Sequence, residues 1–72
     1  MAYTDILKGT RPDGVSYRIR KIDNMYFYSI QLYSQYEGWH WDTQYRDYSY
    51  DKVLQRVAKD NYAVRCKVQR EE

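Results

Sequence analysis

The fold is decided by residues 15–33, whose sequence is VSYRIRKIDNMYFYSIQLY. Apolar and polar side chains alternate here with a period of two, which is the spacing of a strand that buries one face. Asp23 and Asn24 interrupt the alternation, and both residue types tolerate the left-handed backbone of a tight turn. The stretch therefore predicts a β-hairpin, with one strand over Val15 to Ile22 and the next over Met25 to Tyr36.

A third strand and a helix are predicted after this hairpin. Glu37 and Gly38 form a turn, and strict alternation follows, with one side predicted to face the core: Trp39, Trp41, Thr43 and Tyr45. From Ser49, a good N-cap, apolar residues recur at helical spacing as far as Asn61, a residue type that often ends helices. Residues 62–69 alternate again, which predicts a final strand.

The chain before the hairpin carries weaker signals. Residues 1–9 are predicted as a segment with one helical turn, and Pro12 and Gly14 indicate a turn over residues 10–14. The predicted class is α+β, in the order β-β-β-α-β. A three-stranded antiparallel meander is covered on one face by the helix, and the fourth strand lies beside the first. We expect one domain over residues 1–72: a 1–14 N-terminal segment and turn, a 15–69 sheet and helix, and a 70–72 frayed tail.

Composition narrows the class of protein. The chain has 72 residues, a net charge of +2 and 18% aromatic residues, including ten tyrosines. Small domains need large core side chains, so most tyrosines are expected in the core or at its rim. A single cysteine, Cys66, excludes an internal disulfide and multi-cysteine zinc sites. No apolar run is long enough for a membrane span. We expect a cytoplasmic protein without metal or cofactor and without a membrane partner.

The sheet face opposite the helix carries the functional signal. Its outward positions are mostly basic or aromatic, and they define the predicted partner-binding residues: Arg18, Arg20, Phe27, Tyr33, His40, Arg46, Arg65 and Lys67. Three interpretations stay open at this stage. The face is a solvated surface, a contact for an acidic protein, or a nucleic-acid surface.

Catalytic residues are not indicated. His40 lies two residues from Asp42, which can orient an imidazole as a general base, but this pair is more typical of a polar surface. Cys66 falls at an inward position, which predicts a small buried apolar side chain. The glycines are isolated turn residues and form no phosphate loop. We therefore expect a protein that is not an enzyme.

Two resemblances extend this interpretation. The strand-strand-strand-helix order and the basic sheet face are similar to the arm-binding domains of phage integrases, which implies a sheet face entering a DNA groove; the predicted fourth strand departs from that pattern. In size and low cysteine content, the chain resembles small phage-encoded inhibitors of bacterial enzymes, including RNA polymerase inhibitors and anti-CRISPR proteins, which dock on a large target.

The predicted function is a non-enzymatic binding protein that occludes a surface of a larger macromolecular partner. A phage-type inhibitor acting in the bacterial host cytoplasm is its sharpest form. The partner is expected to be a protein or protein complex, and nucleic-acid binding through the basic sheet face is the alternative. A homodimer is also compatible with the sequence.

Overall fold

Four antiparallel strands followed by one helix make up the computed structural model, which describes residues 2–70. The elements are β1 (Tyr3–Thr10), β2 (Ser16–Ile22), β3 (Met25–Ser34), β4 (Gly38–Asp47) and α1 (Tyr50–Arg70). Each strand pairs with its neighbour in the chain, so the sheet order is β1-β2-β3-β4. The α+β class, the antiparallel meander and the helix on the sheet are confirmed.

The fourth strand lies at the start of the chain, where a helical turn was predicted. β1 pairs with β2 through residues 3–10, so the predicted sheet order and the predicted strand after the helix are both wrong. A β-bulge at Ile6 explains why β1 was not predicted, because the register shifts between Asp5 and Leu7. An extra residue in a strand breaks the period of two, and that period is the signal by which a strand is found in a sequence.

The two hairpin turns on either side of β2 follow the predicted chemistry. In the turn between β1 and β2, the Gly14 amide donates to the Arg11 carbonyl at 2.9 Å, and Gly14 has a φ of 89°. The Arg11 guanidinium donates to both carboxylate oxygens of Asp13, at 3.1 and 2.7 Å. In the next turn, Asp23 adopts a φ of 56°. Both turns therefore place their special backbone angles on residues that tolerate them.

The helix begins as predicted and ends later. The Ser49 carbonyl accepts the Val53 amide at 3.3 Å, and the Asp47 carboxylate accepts the Ser49 amide at 2.8 Å. α1 then continues without interruption through Asn61 to Arg70. Its partly buried stripe extends to Val64 and Val68. Arg70 thus belongs to the helix, whereas Glu71 and Glu72, the rest of the predicted frayed tail, lie outside the described residues, as does Met1.

A small core lies between the helix and the middle of the sheet. Its buried members are Ile19, Tyr28, Ile30, Val53 and Val57. Four further tyrosines pack around this core: Tyr17, Tyr26, Tyr45 and Tyr50. The other five are more than half exposed: Tyr3, Tyr33, Tyr36, Tyr48 and Tyr62. The expectation that most tyrosines are structural therefore holds for only half of them. In the described part of the chain, no helix is both long and apolar enough to cross a bilayer.

Candidate interaction surface

A second β-bulge, at Gln44 in β4, determines which side chains face away from the helix. Tyr28 pairs with Tyr45, but the next residue, Ser29, pairs with Thr43, so Gln44 has no partner in β3. Because adjacent strand residues point to opposite faces, the skipped residue reverses the alternation of everything before it. Tyr45 faces the helix as predicted, and residues 38–43 take faces opposite to the prediction.

The two tryptophans are therefore on the uncovered side of the sheet. Trp41 pairs with Gln31, and Trp39 pairs with Tyr33. Trp39 is 69% exposed. The inward placement predicted for Trp39, Trp41 and Thr43 is wrong, because the uninterrupted alternation in the sequence hides the bulge.

We call the side of the sheet opposite α1 the outer face. Cross-strand pairing and ring contacts place ten charged or aromatic residues on it: Tyr3, Asp5, Lys8, Arg18, Arg20, Phe27, Tyr33, Trp39, Trp41 and Arg46. Four cations against one carboxylate give these residues a net charge of +3, whereas the whole chain carries +2. Positive charge is thus concentrated on this face.

The predicted partner-binding residues divide into two groups. Five of them share the outer face: Arg18, Arg20, Phe27, Tyr33 and Arg46. The other three do not. His40 pairs with Leu32 on the helix side of the sheet, because the bulge at Gln44 reverses its direction. Arg65 and Lys67 are exposed on α1, because the predicted last strand is helical.

Sequence reasoning missed four of the aromatic and cationic members of the outer face. Tyr3 and Lys8 were missed because β1 was not recognised, and Trp39 and Trp41 because the bulge at Gln44 is invisible in the alternation. The sequence of β1 gives little sign of a strand. Leu7 and Lys8 differ in polarity, but Tyr3-Thr4-Asp5 shows no alternation of apolar and polar residues.

The centre of the outer face is an arginine stacked on a tryptophan. The Arg18 guanidinium carbon lies 3.9 Å from the centroid of the Trp41 ring, two strands away. Ser29, the β3 residue between them, is only 7% exposed, and its hydroxyl lies 3.4 Å from that of Thr43. Burial, and next the charge of nearby Arg20, lower the pKa of Arg18. Its Nε is buried without a hydrogen-bond partner among the described residues.

The β1 side of the outer face contains a second stacked arginine. The Arg20 guanidinium carbon lies 3.9 Å from the centroid of the Tyr3 ring, and its Nε donates to Asp5 at 2.7 Å. Lys8 approaches the same carboxylate at 3.7 Å, because the bulge at Ile6 places Asp5 and Lys8 on one face. The hydrogen bond from Arg20 holds the pKa of Asp5 below its usual value. Asp5 thus partly neutralises this side.

The β3–β4 end of the outer face is its most exposed aromatic region. The rings of Tyr33 and Trp39 meet edge to face, with centroids 5.5 Å apart. Tyr33 is 64% exposed, and Tyr36, in the turn beyond, is 90% exposed. These rings do not form a small core of their own, because most of their surface is exposed to solvent.

A shallow depression follows the β4 edge beside the bulge. Its volume is about 360 Å³, and Phe27 and Arg46, which pair across β3 and β4, contribute to its lining. The opposite side of the same edge has a more open depression of about 430 Å³, lined by Tyr45 and by side chains of α1 that include Lys52, Arg56 and Lys59. Cations thus border both sides of this edge.

The groups considered for catalysis are dispersed. The Nδ1 atom of His40 donates to the carbonyl oxygen of Gly38 at 3.1 Å, and Glu37 approaches the ring at 3.6 Å. Cys66 is half-buried on α1, not on a strand. Within residues 2–70, no three His, Cys, Asp or Glu side chains converge in a way that holds a metal ion.

Comparisons with protein families, with curated proteins and with solved structures found no match for this chain.

Proposed function

We propose that this protein is a non-enzymatic docking domain, which binds an acidic surface of a larger protein or protein complex through its outer face. The observation that carries the proposal is the composition of that face, where Tyr, Trp, Phe and Arg alternate in space without a covering element. Tyr, Trp and Arg are the residues that most often anchor protein interfaces. A net positive face also accelerates association with an acidic partner.

The size of the face is adequate for such a contact. Strands lie about 4.8 Å apart and rise about 3.3 Å per residue, so four strands of up to ten residues present on the order of 600 Å² before side-chain relief is added. A standard interface buries about 800 Å² on each partner. An interface of standard size therefore requires contact over most of the outer face. The exposed turn around Tyr36 enlarges the available surface.

The arginines on the outer face are already oriented for binding. Arg18 is stacked on Trp41, and Arg20 is held by both Tyr3 and Asp5. Immobilising a rotamer-rich side chain on binding costs about 0.5–1.5 kcal/mol. Part of this cost is met during folding, which favours these arginines as anchors.

A second copy of the chain fits the outer face poorly. Face-to-face pairing would bring two surfaces of net +3 together, as the four cations and one carboxylate on each show. Like charges across an interface are strongly unfavourable. An acidic partner of different sequence removes this conflict.

Single-stranded nucleic acid is the second candidate, and the presence of both tryptophans on a cationic sheet face favours it. Two features weigh against it. Arg18 and Arg20 occupy one side of the rings of Trp41 and Tyr3, where a base would stack. The four cations of the face neutralise about four phosphates, fewer than the 6–10 contacts of strongly salt-dependent DNA-binding proteins.

Occlusion of a functional surface on the partner is the mode of action we propose. The support for it is the resemblance in size and style to small phage-encoded inhibitors, which act without chemistry of their own. In that form, the protein works in the cytoplasm of a bacterial host.

The test compares two exposed aromatic residues on different surfaces. Trp39 and Tyr62 are each 69% exposed, the first on the outer face and the second on α1. The wild type, Trp39→Ser and Tyr62→Ser are immobilised, and proteins from a bacterial lysate, with and without nuclease treatment, are captured and identified by mass spectrometry. The binding of the purified partner to each form is then measured directly.

We expect Trp39→Ser to bind the partner at least tenfold more weakly and Tyr62→Ser to bind it normally. Equal binding by both variants would show that the outer face is not the docking surface. Loss of all captured protein after nuclease treatment, with retention of nucleic acid in untreated lysate, would favour the second candidate.

A further inference from the structure

Arg18 differs from Arg20 and Lys8, the two cations beside it on the outer face, in having no carboxylate of its own. Within residues 2–70, both Arg20 and Lys8 reach Asp5, at 2.7 and 3.7 Å, whereas Arg18 forms no ion pair. Its guanidinium is nevertheless half-buried and stacked on Trp41, with one nitrogen removed from solvent and unpaired. A partly desolvated cation without a counter-charge is unfavourable, and a partner anion at the terminal nitrogens, which unlike Nε are not buried, relieves this condition.

We infer that Arg18, held on Trp41, is the seat for a carboxylate side chain of the partner, so that the recognised segment carries Asp or Glu next to apolar residues. This inference rests on the proposed function and specifies its partner. The apolar neighbours of the carboxylate lie against Trp39 and Tyr33, an exposed cross-strand pair of rings two residues from Trp41.

The geometry favours a carboxylate for two reasons. The guanidinium is planar and presents paired N–H groups that match two carboxylate oxygens. Stacking on the indole fixes the plane of that fork. A nucleic-acid phosphate also accepts such a fork, but its neighbouring bases would need the ring surface that Arg18 already covers. An acidic protein segment needs only the guanidinium edge and the exposed rings.

The experiment uses the full chain and two probes, a short poly-L-glutamate and an oligothymidylate of equal length, at the same ionic strength. Binding is followed by NMR through the Nε–Hε signal of Arg18 and the indole signal of Trp41. Three variants are compared with the wild type: Arg18→Gln, Arg18→Lys and, as the matched control on α1, Arg65→Gln. Thermal midpoints of all variants are measured beside the titrations.

We expect poly-L-glutamate to shift both signals of the wild type in a saturable manner. Arg18→Gln should bind about tenfold more weakly, which is a change of about 1.4 kcal/mol. Arg18→Lys should lose nearly as much, because lysine keeps the charge but not the planar fork. Arg65→Gln should bind like the wild type, since Arg65 is exposed on the helix.

Several results would overturn the inference. If Arg18→Gln binds poly-L-glutamate as tightly as the wild type while other outer-face signals still shift, the outer face docks acidic chains but Arg18 is not the seat. If the shifts map to α1, the proposed function fails as well. If oligothymidylate binds more tightly than poly-L-glutamate and shifts the Arg18 signal, the ligand of Arg18 is a phosphate and not a carboxylate. If Arg18→Gln fails to fold, the wild-type titration decides. An Arg18 Nε–Hε signal that does not shift at saturation would show that Arg18 does not bind the carboxylate.

Discussion

Replacing Tyr28 by phenylalanine removes a single buried oxygen from the centre of the core. Tyr28 is 0% exposed, and its hydroxyl forms no hydrogen bond of good geometry among the described residues, although Asp60 and Arg11 lie close enough to influence its pKa. An unsatisfied buried polar group costs about 1–3 kcal/mol, so its removal should stabilise the fold by about 1 kcal/mol after allowance for the small void. For a domain of this size, 1 kcal/mol raises the thermal midpoint by about 4–8 °C.

The same substitution should change how stability depends on pH. Burial, and next the charge of Asp60, raise the pKa of Tyr28 to about 12. An unfolded tyrosine titrates near pH 10, so the native state retains a proton that the unfolded state loses. Stability from this group is fully present below about pH 10 and is lost as the pH rises toward about 12. A shift of two pKa units corresponds to on the order of 2–3 kcal/mol. The wild type should lose this stability as the pH rises to about 12, whereas Tyr28→Phe should keep it.

Urea denaturation of both proteins at pH 7, 9 and 11 measures the two effects separately. The advantage of Tyr28→Phe should be about 1 kcal/mol at pH 7 and should grow at pH 11. The difference between the two proteins cancels the titration of other tyrosines, such as Tyr45, whose hydrogen bond to Asp47 also raises its pKa. A variant that is less stable at pH 7, with a difference that does not change with pH, would refute the argument by showing that the hydroxyl has a partner.

Two further substitutions test the strand geometry. Gly9→Ala should destabilise the fold by about 1 kcal/mol in urea denaturation. The Tyr17 ring lies directly over Gly9, so the added methyl group must displace the tip of the ring. Unchanged stability would show that the Tyr17 ring does not lie over Gly9. Deletion of Gln44 should lower the free energy of unfolding by about 3 kcal/mol or more, because removal of the bulge forces either Tyr45 or Trp41 to the wrong face of the sheet. Gln44→Ala keeps the bulge and should be tolerated. Equal stability of the Gln44 deletion and Gln44→Ala would contradict the bulge.

The hairpin that the sequence predicts most clearly is also the part with the most regular geometry. β2 and β3 pair without a register shift from Tyr17 to Ile22, so the alternating residues in the middle of this hairpin face the sides that the sequence predicts. Ile19, Tyr28 and Ile30 were predicted on the covered face and are buried there. The start of the helix was also predictable, since Ser49 acts as a cap through local hydrogen bonds alone.

The two edge strands could not be predicted with the same success, and the cause is common to both. β1 contains a bulge at Ile6 and β4 a bulge at Gln44. A bulge is a relation between two strands, so the sequence of one strand does not reveal it. In β4 the alternation of residue types continues through the bulge. For this reason, Trp39 and Trp41 were predicted on the wrong face of the sheet. Bulges at edges also discourage pairing with other chains.

The C-terminal half of α1 shows the limit of periodicity for short segments. Tyr62, Val64, Cys66 and Val68 alternate like a strand, but Val64 and Val68 are also one helical turn apart. Residues 62–69 contain no glycine or proline, and Ala, Arg, Lys and Gln between the apolar positions favour the helix. With the N-cap at Ser49 and no stop signal stronger than Asn61, helix propagation costs less than a new strand.

The presence of both tryptophans on the cationic outer face is the claim on which the proposed function depends, and fluorescence quenching measures it directly. Trp39 and Trp41 are the only tryptophans in the chain, so the whole signal reports on this face. At constant ionic strength, the ratio of iodide to caesium quenching should exceed that of free N-acetyltryptophanamide, because Arg18 and nearby cations attract the anion. A ratio equal to or below that of the free compound would contradict the cationic surroundings, and weak quenching by both ions and by neutral acrylamide would place the tryptophans under the helix.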